Sequence, residues 1–258
     1  MSEQGPPKKR FGQHFLKDPN TARIVASGVT KDDVVLEIGP GRGFLTGFLV
    51  ERAGLVHAIE LDPDVLPTLR EAVRGRDNVI VYEGDALRLD YSTLVPAPTK
   101  LVANLPYNIA SPLVLALLEE VDSIRRLRFM VQLEVARRMA AQRGTKDYAA
   151  YAVLAQLLAS VRVLHRVPPT VFDPPPRVHS AVVEMDRKSK PDGYQGIKRL
   201  VLGAFRSRRK RLVNNLPEPA RREAPRILQS LGYGPDARAE ELAPGDFVAL
   251  YRELSWAL

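Results

Sequence analysis

The segment Val34-Val35-Leu36-Glu37-Ile38, followed by Gly39-Pro40-Gly41-Arg42-Gly43, constrains the fold more than any other stretch of this chain. A short apolar run rich in β-branched residues reads as a strand buried on both faces, the pattern of a parallel sheet. The glycines that follow permit a tight turn and close approach of a ligand to the backbone. A helical pattern from about Phe44 to Arg52 completes the unit. Strand, glycine loop and helix in that order point to an α/β sheet that binds a nucleotide.

The alternation continues through the first two-thirds of the chain. Strands are expected at 56–60, 79–82, 100–103 and 127–133, and a terminal pair at 161–167 and 180–185. Helices are expected at about 64–73, at 111–120 with Ser111 as cap, after the strand at 127–133 through Met139, and at 148–159. Lys188-Ser189-Lys190-Pro191-Asp192-Gly193 reads as a linker. Beyond it only helical patterns remain, at about 194–214, 224–231 and 246–256. The expected organisation is therefore a nucleotide-binding domain over residues 1–187 and a small all-helical domain over 188–258.

Composition narrows the chemistry. Cysteine is absent, so disulfides and thiolate metal sites are excluded. His14, His57, His165 and His179 are scattered with no metal-ligand spacing, and no metal is expected. No apolar export segment or membrane-length run is apparent, so a cytoplasmic protein is expected, with a monomer as the default. Lys+Arg 38 against Asp+Glu 30 gives a net charge of +8, which favours a polyanionic partner. Twelve basic residues fall between Asp186 and Arg222, among them Arg208-Arg209-Lys210-Arg211, and Lys8-Lys9-Arg10 forms a second cluster. Such runs also occur as plain solvated faces.

The loop spacing is G-x-G-x-G, whereas a dinucleotide pyrophosphate calls for G-x-G-x-x-G at a helix N-terminus. Glu60 ends the second expected strand, where a carboxylate can accept from both hydroxyls of a ribose. Asp85 follows the third strand, placed to accept from an adenine amino group. Each acid alone reads equally as a helix cap or a surface acid. The ordered trio fits S-adenosylmethionine better than NAD. Asn104-Leu105-Pro106-Tyr107 closes the fourth strand. An exocyclic amine is a poor nucleophile until acceptors hold its hydrogens. The Asn104 side chain offers one acceptor. Leu105 precedes a proline, which favours extended backbone and can aim a carbonyl at the same nitrogen. Tyr107 offers a flat face for an unpaired or flipped base. The bland alternative is a strand ending in a proline turn with a half-buried tyrosine.

Several motifs in fixed order resemble the KsgA/RsmA family of rRNA adenine dimethyltransferases. They are Gly12-Gln13-His14-Phe15-Leu16, Glu37 to Gly43, Asn104 to Tyr107, Phe172-Asp173-Pro174-Pro175-Pro176-Arg177-Val178, Ser180-Ala181-Val182-Val183 and Ala204-Phe205 through Arg211. The resemblance covers nearly the whole chain after Lys9. It implies a Rossmann-like class I methyltransferase domain with a small helical C-terminal domain. The implied reaction is transfer of methyl groups from S-adenosylmethionine to N6 of two adjacent adenosines near the 3′ end of small-subunit rRNA, on the 30S subunit or its precursor.

By the same likeness His14 and Leu16 would cover the cofactor, with Gly39 and Gly41 in its loop, Glu60 on its ribose and Asp85 on its adenine. Asn104 would lie between cofactor and target base. Phe172 would sandwich that base against Tyr107, although core packing explains a phenylalanine there equally well. Arg208, Arg209, Lys210 and Arg211 would contact RNA. Other readings are an Erm-like enzyme acting on large-subunit rRNA, a non-catalytic nucleic-acid-binding relative, and a nicotinamide oxidoreductase.

Overall fold

The computed structural model describes residues 13–208 and 210–255. Arg209 and the cluster Lys8-Lys9-Arg10 lie outside the described residues.

Strands β2 (Val34–Ile38), β3 (Leu55–Glu60) and β5 (Lys100–Asn104) are almost wholly buried. That is why they read as mostly apolar runs, with a polar residue at few positions. With β4 (Val79–Glu83), β6 (Arg126–Gln132), β7 (Ala159–Val167) and β9 (Ser180–Arg187) they form a sheet in the order β4-β3-β2-β5-β6-β9-β7. Pairing is parallel from β4 through β6, and β9 runs antiparallel to β6 with Phe129 opposite Val183. The chain steps outward from β2 to β3 and β4, then returns to the other side of β2 with β5. This reversal makes a topological switch point, and ligands bind beyond the carboxyl ends of strands there.

Helices fill the parallel connections: α2 (Phe44–Val50), α3 (Leu66–Ala72) and α4 (Ala110–Glu120). Helix α4 starts one residue before Ser111 and carries no side-chain cap. The turn Ile109 N–H to Pro106 C=O, at 3.2 Å, already leads into the helix, so Ser111 sits inside its first turn. At the other end the Arg187 guanidinium donates to Leu117, Leu118, Val121 and Ile124 carbonyls at 2.5–2.9 Å. It thereby takes up carbonyls that a helix C-terminus leaves orphaned. A further pairing was not apparent in the sequence. Strand β1 (Phe15–Leu16) lies antiparallel to β8 (Phe172–Asp173), with Leu16 opposite Phe172.

The chain divides into two compact units, one comprising residues up to Ala136 with Arg162–Arg187, the other Arg137–Val161 with Lys188–Leu258. The change at residue 187 falls where the linker signals lie. The expected boundaries of 1–187 and 188–258 need correcting, because Arg137–Val161 belongs with the C-terminal residues. That segment holds α6 (Ala150–Leu158), in which Ala152, Val153, Leu154, Ala155, Leu157 and Leu158 are all buried. A helix apolar on most faces needs covering on most faces. Within this unit Tyr148 donates to the Leu242 carbonyl at 2.8 Å and meets the Phe205 ring edge-on at 6.1 Å.

The helix expected over 194–214 is shorter. α7 (Tyr194–Ala204) gives way to 3-10 turns at Phe205–Ser207 and Leu212–Asn215. Asn215 Nδ2 donates to the carbonyls of Ala204 and Ser207, at 2.8 and 3.3 Å, acceptors that a continuing helix would use itself. The unit continues with α8 (Ala220–Ser230) and α9 (Pro244–Leu254). Among the described residues no helix is long and apolar enough to cross a membrane, and no acid or histidine cluster could hold a metal.

Candidate active site

A cavity of about 570 Å³ opens at the carboxyl ends of β2, β3, β4 and β5. Its walls include His14, Leu16, Gly39, Gly41, Glu60, Asp85, Asn104, Leu105, Pro106 and Tyr107. These are all the residues expected at the cofactor and amine sites, with one exception.

The exception is Phe172. Its side chain is fully buried, packs in the core with Leu16, Val167 and Val182, and does not line the cavity. The expectation that it stacks on a base is corrected here: pairing of β8 with β1 turns the ring into the core. One approach to Tyr107 is instead occupied by His14, whose ring stacks on it at 5.5 Å and 30°.

The glycine loop is shaped by its neighbours. Gly39 has φ +69°, and a Cβ there would come within 3.0 Å of Pro106. Gly41 has φ +58°, and a Cβ would lie 2.8 Å from the Phe15 ring. Side chains are thus excluded by backbone conformation and by space. The Arg42 guanidinium lies over the other partner of this contact, 4.4 Å from the Phe15 ring centre.

Glu60, nearly inaccessible to solvent, accepts from Gly41 N–H at 2.9 Å through Oε2 and from Asp62 N–H at 2.8 Å through Oε1. Burial raises its pKa, and these backbone donors oppose the rise. Asp85 accepts from Leu87 N–H at 2.9 Å, which folds the loop after β4. A carboxylate has about four acceptor positions, so both acids keep capacity for a ligand. Glu37 received no role from the sequence. Burial, with the like charge of Glu60 adding to it, pushes its carboxyl up to about 8, and its Oε2 has no hydrogen-bond partner. A lone acid within an apolar strand was the available signal.

Asn104 ends β5 and donates from Nδ2 to the His14 carbonyl at 3.0 Å. Its Oδ1 is buried and has no hydrogen-bond partner. Such an acceptor is costly to leave unpaired in a finished structure. The Tyr107 hydroxyl pairs with Ser180 Oγ at 2.6 Å, a role for the hydroxyl that the sequence did not reveal. His14 Nδ1 lies 2.7 Å from the Pro174 carbonyl; a carbonyl can only accept, which assigns the hydrogen to Nδ1.

In the second unit the expected RNA contacts separate. The Arg208 guanidinium bonds Glu240 and donates to the carbonyls of Lys146 and Thr145, at 2.5 and 3.1 Å. It is an internal brace, which corrects its expected role as a free phosphate ligand. Arg211 forms an exposed ion pair with Asp236 at 2.8 Å, and Lys210 is exposed. Lys210 borders a second hollow of about 460 Å³ together with Arg206, Arg221, Ser207, Asn214 and Asn215.

Residues 6–255 match the sequence model described as ribosomal RNA adenine dimethylase. The chain belongs to this family. It is 70% identical over 250 residues to the ribosomal RNA small subunit methyltransferase A of Rubrobacter xylanophilus, covering 96% of this chain and 95% of the relative. Among solved structures it is similar to a dimethyladenosine transferase from Plasmodium falciparum, with TM-score 0.83 and 27% identity over 94% of this chain and 98% of the other. It is also similar to the 23S rRNA methyltransferase ErmE, with TM-score 0.75 and 29% identity over 93% and 99% of the two chains.

Proposed function

We propose that this chain dimethylates N6 of two adjacent adenosines near the 3′ end of 16S rRNA, on the 30S subunit or a precursor, with S-adenosylmethionine as donor. The observation that carries the chemistry is the unpartnered Oδ1 of Asn104 in the cavity wall. It is the acceptor that an amine nitrogen lacks before attack.

The cavity suits this donor. It is lined by Glu60, Asp85 and Asp173 against Lys17 and Arg42, with Glu37 as a further acid that a cationic ligand would ionise, a balance that favours a ligand carrying positive charge. A pyrophosphate would meet the opposite field. When bound, S-adenosylmethionine supplies a methyl group on a sulfonium, electrophilic without a metal. Glu60 would hold its ribose, Asp85 its adenine, and Gly39 and Gly41 its amino-acid portion beneath His14 and Leu16.

On the acceptor side, Asn104 Oδ1 and the Leu105 carbonyl accept hydrogen bonds from the two N6 hydrogens. This favours a pyramidal nitrogen and stabilises the positive charge it develops. The proton that N6 sheds after taking the methyl leaves to solvent. Tyr107 gives a stacking surface, and Pro106 sets its approach. Positioning dominates, because two reactants are held in near-attack geometry.

RNA docking falls to exposed cations around the second hollow, Arg206, Lys210 and Arg221, while Arg208 serves as a brace to Glu240, Lys146 and Thr145. The small subunit is favoured over the large by the 70% identity to a small subunit methyltransferase. The test is methyl transfer from labelled cofactor to unmethylated small- versus large-subunit rRNA. Label on two adjacent small-subunit adenosines is expected. Label on the large subunit alone would overturn the assignment.

A further inference from the structure

Residues 13–17 form a strap in the cavity wall. On one side it is sewn to the segment 171–174. Leu16 pairs with Phe172, Lys17 N–H donates to the Val171 carbonyl at 2.9 Å, and the His14 ring bonds the Pro174 carbonyl. On the other side Gln13 Nε2 donates to Asp62 Oδ2 at 2.8 Å. Asp62 is itself buried and fixed: Oδ1 accepts from Asp64 N–H at 3.2 Å, and its own N–H donates to Glu60.

Between the two attachments the strap sets the His14 carbonyl against Asn104, beside the His14 ring that stacks on Tyr107. A carboxamide can be turned by 180°, exchanging oxygen for NH₂, and only its hydrogen-bond partners decide between the two faces. The His14 carbonyl cannot donate. With it 3.0 Å from Asn104, the NH₂ must face the strap and the oxygen must face away. The reverse orientation would set two carbonyl oxygens against each other. Were the strap to withdraw, Asn104 could turn its NH₂ toward a substrate amine, a donor facing a donor.

We propose that Gln13 and Asp62 are positioning residues for methyl transfer, holding the His14 carbonyl where it fixes the acceptor face of Asn104. The inference rests on the role of Asn104 proposed above. It adds a mechanical link that runs from Glu60 through Asp62 and Gln13 to the amide on the reacting nitrogen. Neither Gln13 nor Asp62 touches a reacting atom.

Gln13 is half-buried, so Gln13→Ala is expected to fold. At saturating S-adenosylmethionine, single-turnover methylation of small-subunit rRNA by this variant should fall about 10- to 100-fold, the scale of a small misplacement near the reaction centre, with cofactor Kd within about twofold of wild type. Gln13→Glu should be as slow, since two carboxylates would meet. Combining Gln13→Glu with Asp62→Asn reverses donor and acceptor and should restore the rate. In the cofactor-free protein, the Asn104 side-chain NH₂ should be protected from solvent exchange by its bond to the His14 carbonyl, and that protection should be lost in Gln13→Ala. An unchanged single-turnover rate overturns the proposal, as does a loss accounted for entirely by weaker cofactor binding. A wild-type chain that transfers no methyl at all would instead overturn the underlying reading of the site.

Discussion

Glu60 Oε2 accepts the main-chain N–H of Gly41 at 2.9 Å, so the acid that ends β3 pins the loop that follows β2. In the proposed reading this carboxylate has a second task besides fixing that backbone, which is to hold the ribose of the cofactor. Glu60→Gln keeps one acceptor but sets an NH₂ against either Gly41 or Asp62. Glu60→Ala removes both acceptors. Isothermal titration with S-adenosylmethionine should show weakened binding in both, the alanine variant more, with a loss on the order of 1.5–3 kcal/mol for a charged contact. Unchanged affinity in Glu60→Ala would remove Glu60 from the cofactor site.

Tyr107 and Phe172, expected to act as a pair, should behave differently. Phe172→Ala empties a fully buried core position and should cost about 3–5 kcal/mol of stability in denaturant unfolding. Tyr107→Ala should leave stability closer to wild type but weaken capture of the target adenine, with stacking worth about 1–3 kcal/mol per base. Tyr107→Phe keeps the ring and strands the buried Ser180 hydroxyl, for a loss of about 1 kcal/mol that Ser180→Ala should partly relieve. If Phe172→Ala proves as stable as wild type yet fails to bind RNA, the core assignment of its ring is wrong.

The basic residues of the second unit should likewise fall into two classes. Arg208→Ala breaks a partly exposed brace to Glu240, Lys146 and Thr145, and should lower stability by about 1–3 kcal/mol. The salt dependence of RNA binding should barely change. Replacing Arg206, Lys210 and Arg221 together with alanine should lower the melting temperature less than Arg208→Ala does, since Arg221 donates only to the Leu216 and Asn214 carbonyls, at 3.2 and 3.5 Å. It should also reduce the slope of log affinity against log salt by about 2–3, one counterion being released per phosphate contact. A flattened slope in Arg208→Ala instead would return that residue to the RNA surface.

The parts of the site carried by the parallel sheet were legible in the sequence. Strands such as β2 and β5, buried on both faces, leave mostly apolar runs, and Glu60 and Asn104 end β3 and β5 while Asp85 follows β4. What sequence could not show was decided by contacts between distant segments. Strand β1 is two residues long and exists because β8 pairs with it, which also decides that Phe172 is core. Arg208 stands in a charge run, and its partner Glu240 lies 32 positions further on. Arg137–Val161 joins the C-terminal unit through the apolar faces of α6, a match that local propensity cannot register.

Glu37 supplies a test in which pH is the variable. In the folded protein burial keeps its proton until about pH 8, whereas in the unfolded chain the carboxyl ionises in the ordinary carboxylate range. Between those limits the folded state binds the extra proton, so this group makes stability fall as pH rises. Glu37→Gln is neutral and nearly isosteric. Denaturant unfolding of the cofactor-free protein at steps from pH 5 to pH 8 should show wild-type stability declining relative to Glu37→Gln. A cationic ligand favours the ionised carboxylate, so S-adenosylmethionine binding should release a proton below pH 8. Titrations in buffers of different ionisation enthalpy measure that proton directly. Wild type should release it and Glu37→Gln should not. Identical proton release by the two proteins would show that the carboxyl is already ionised in the empty cavity, or that it does not sense the ligand.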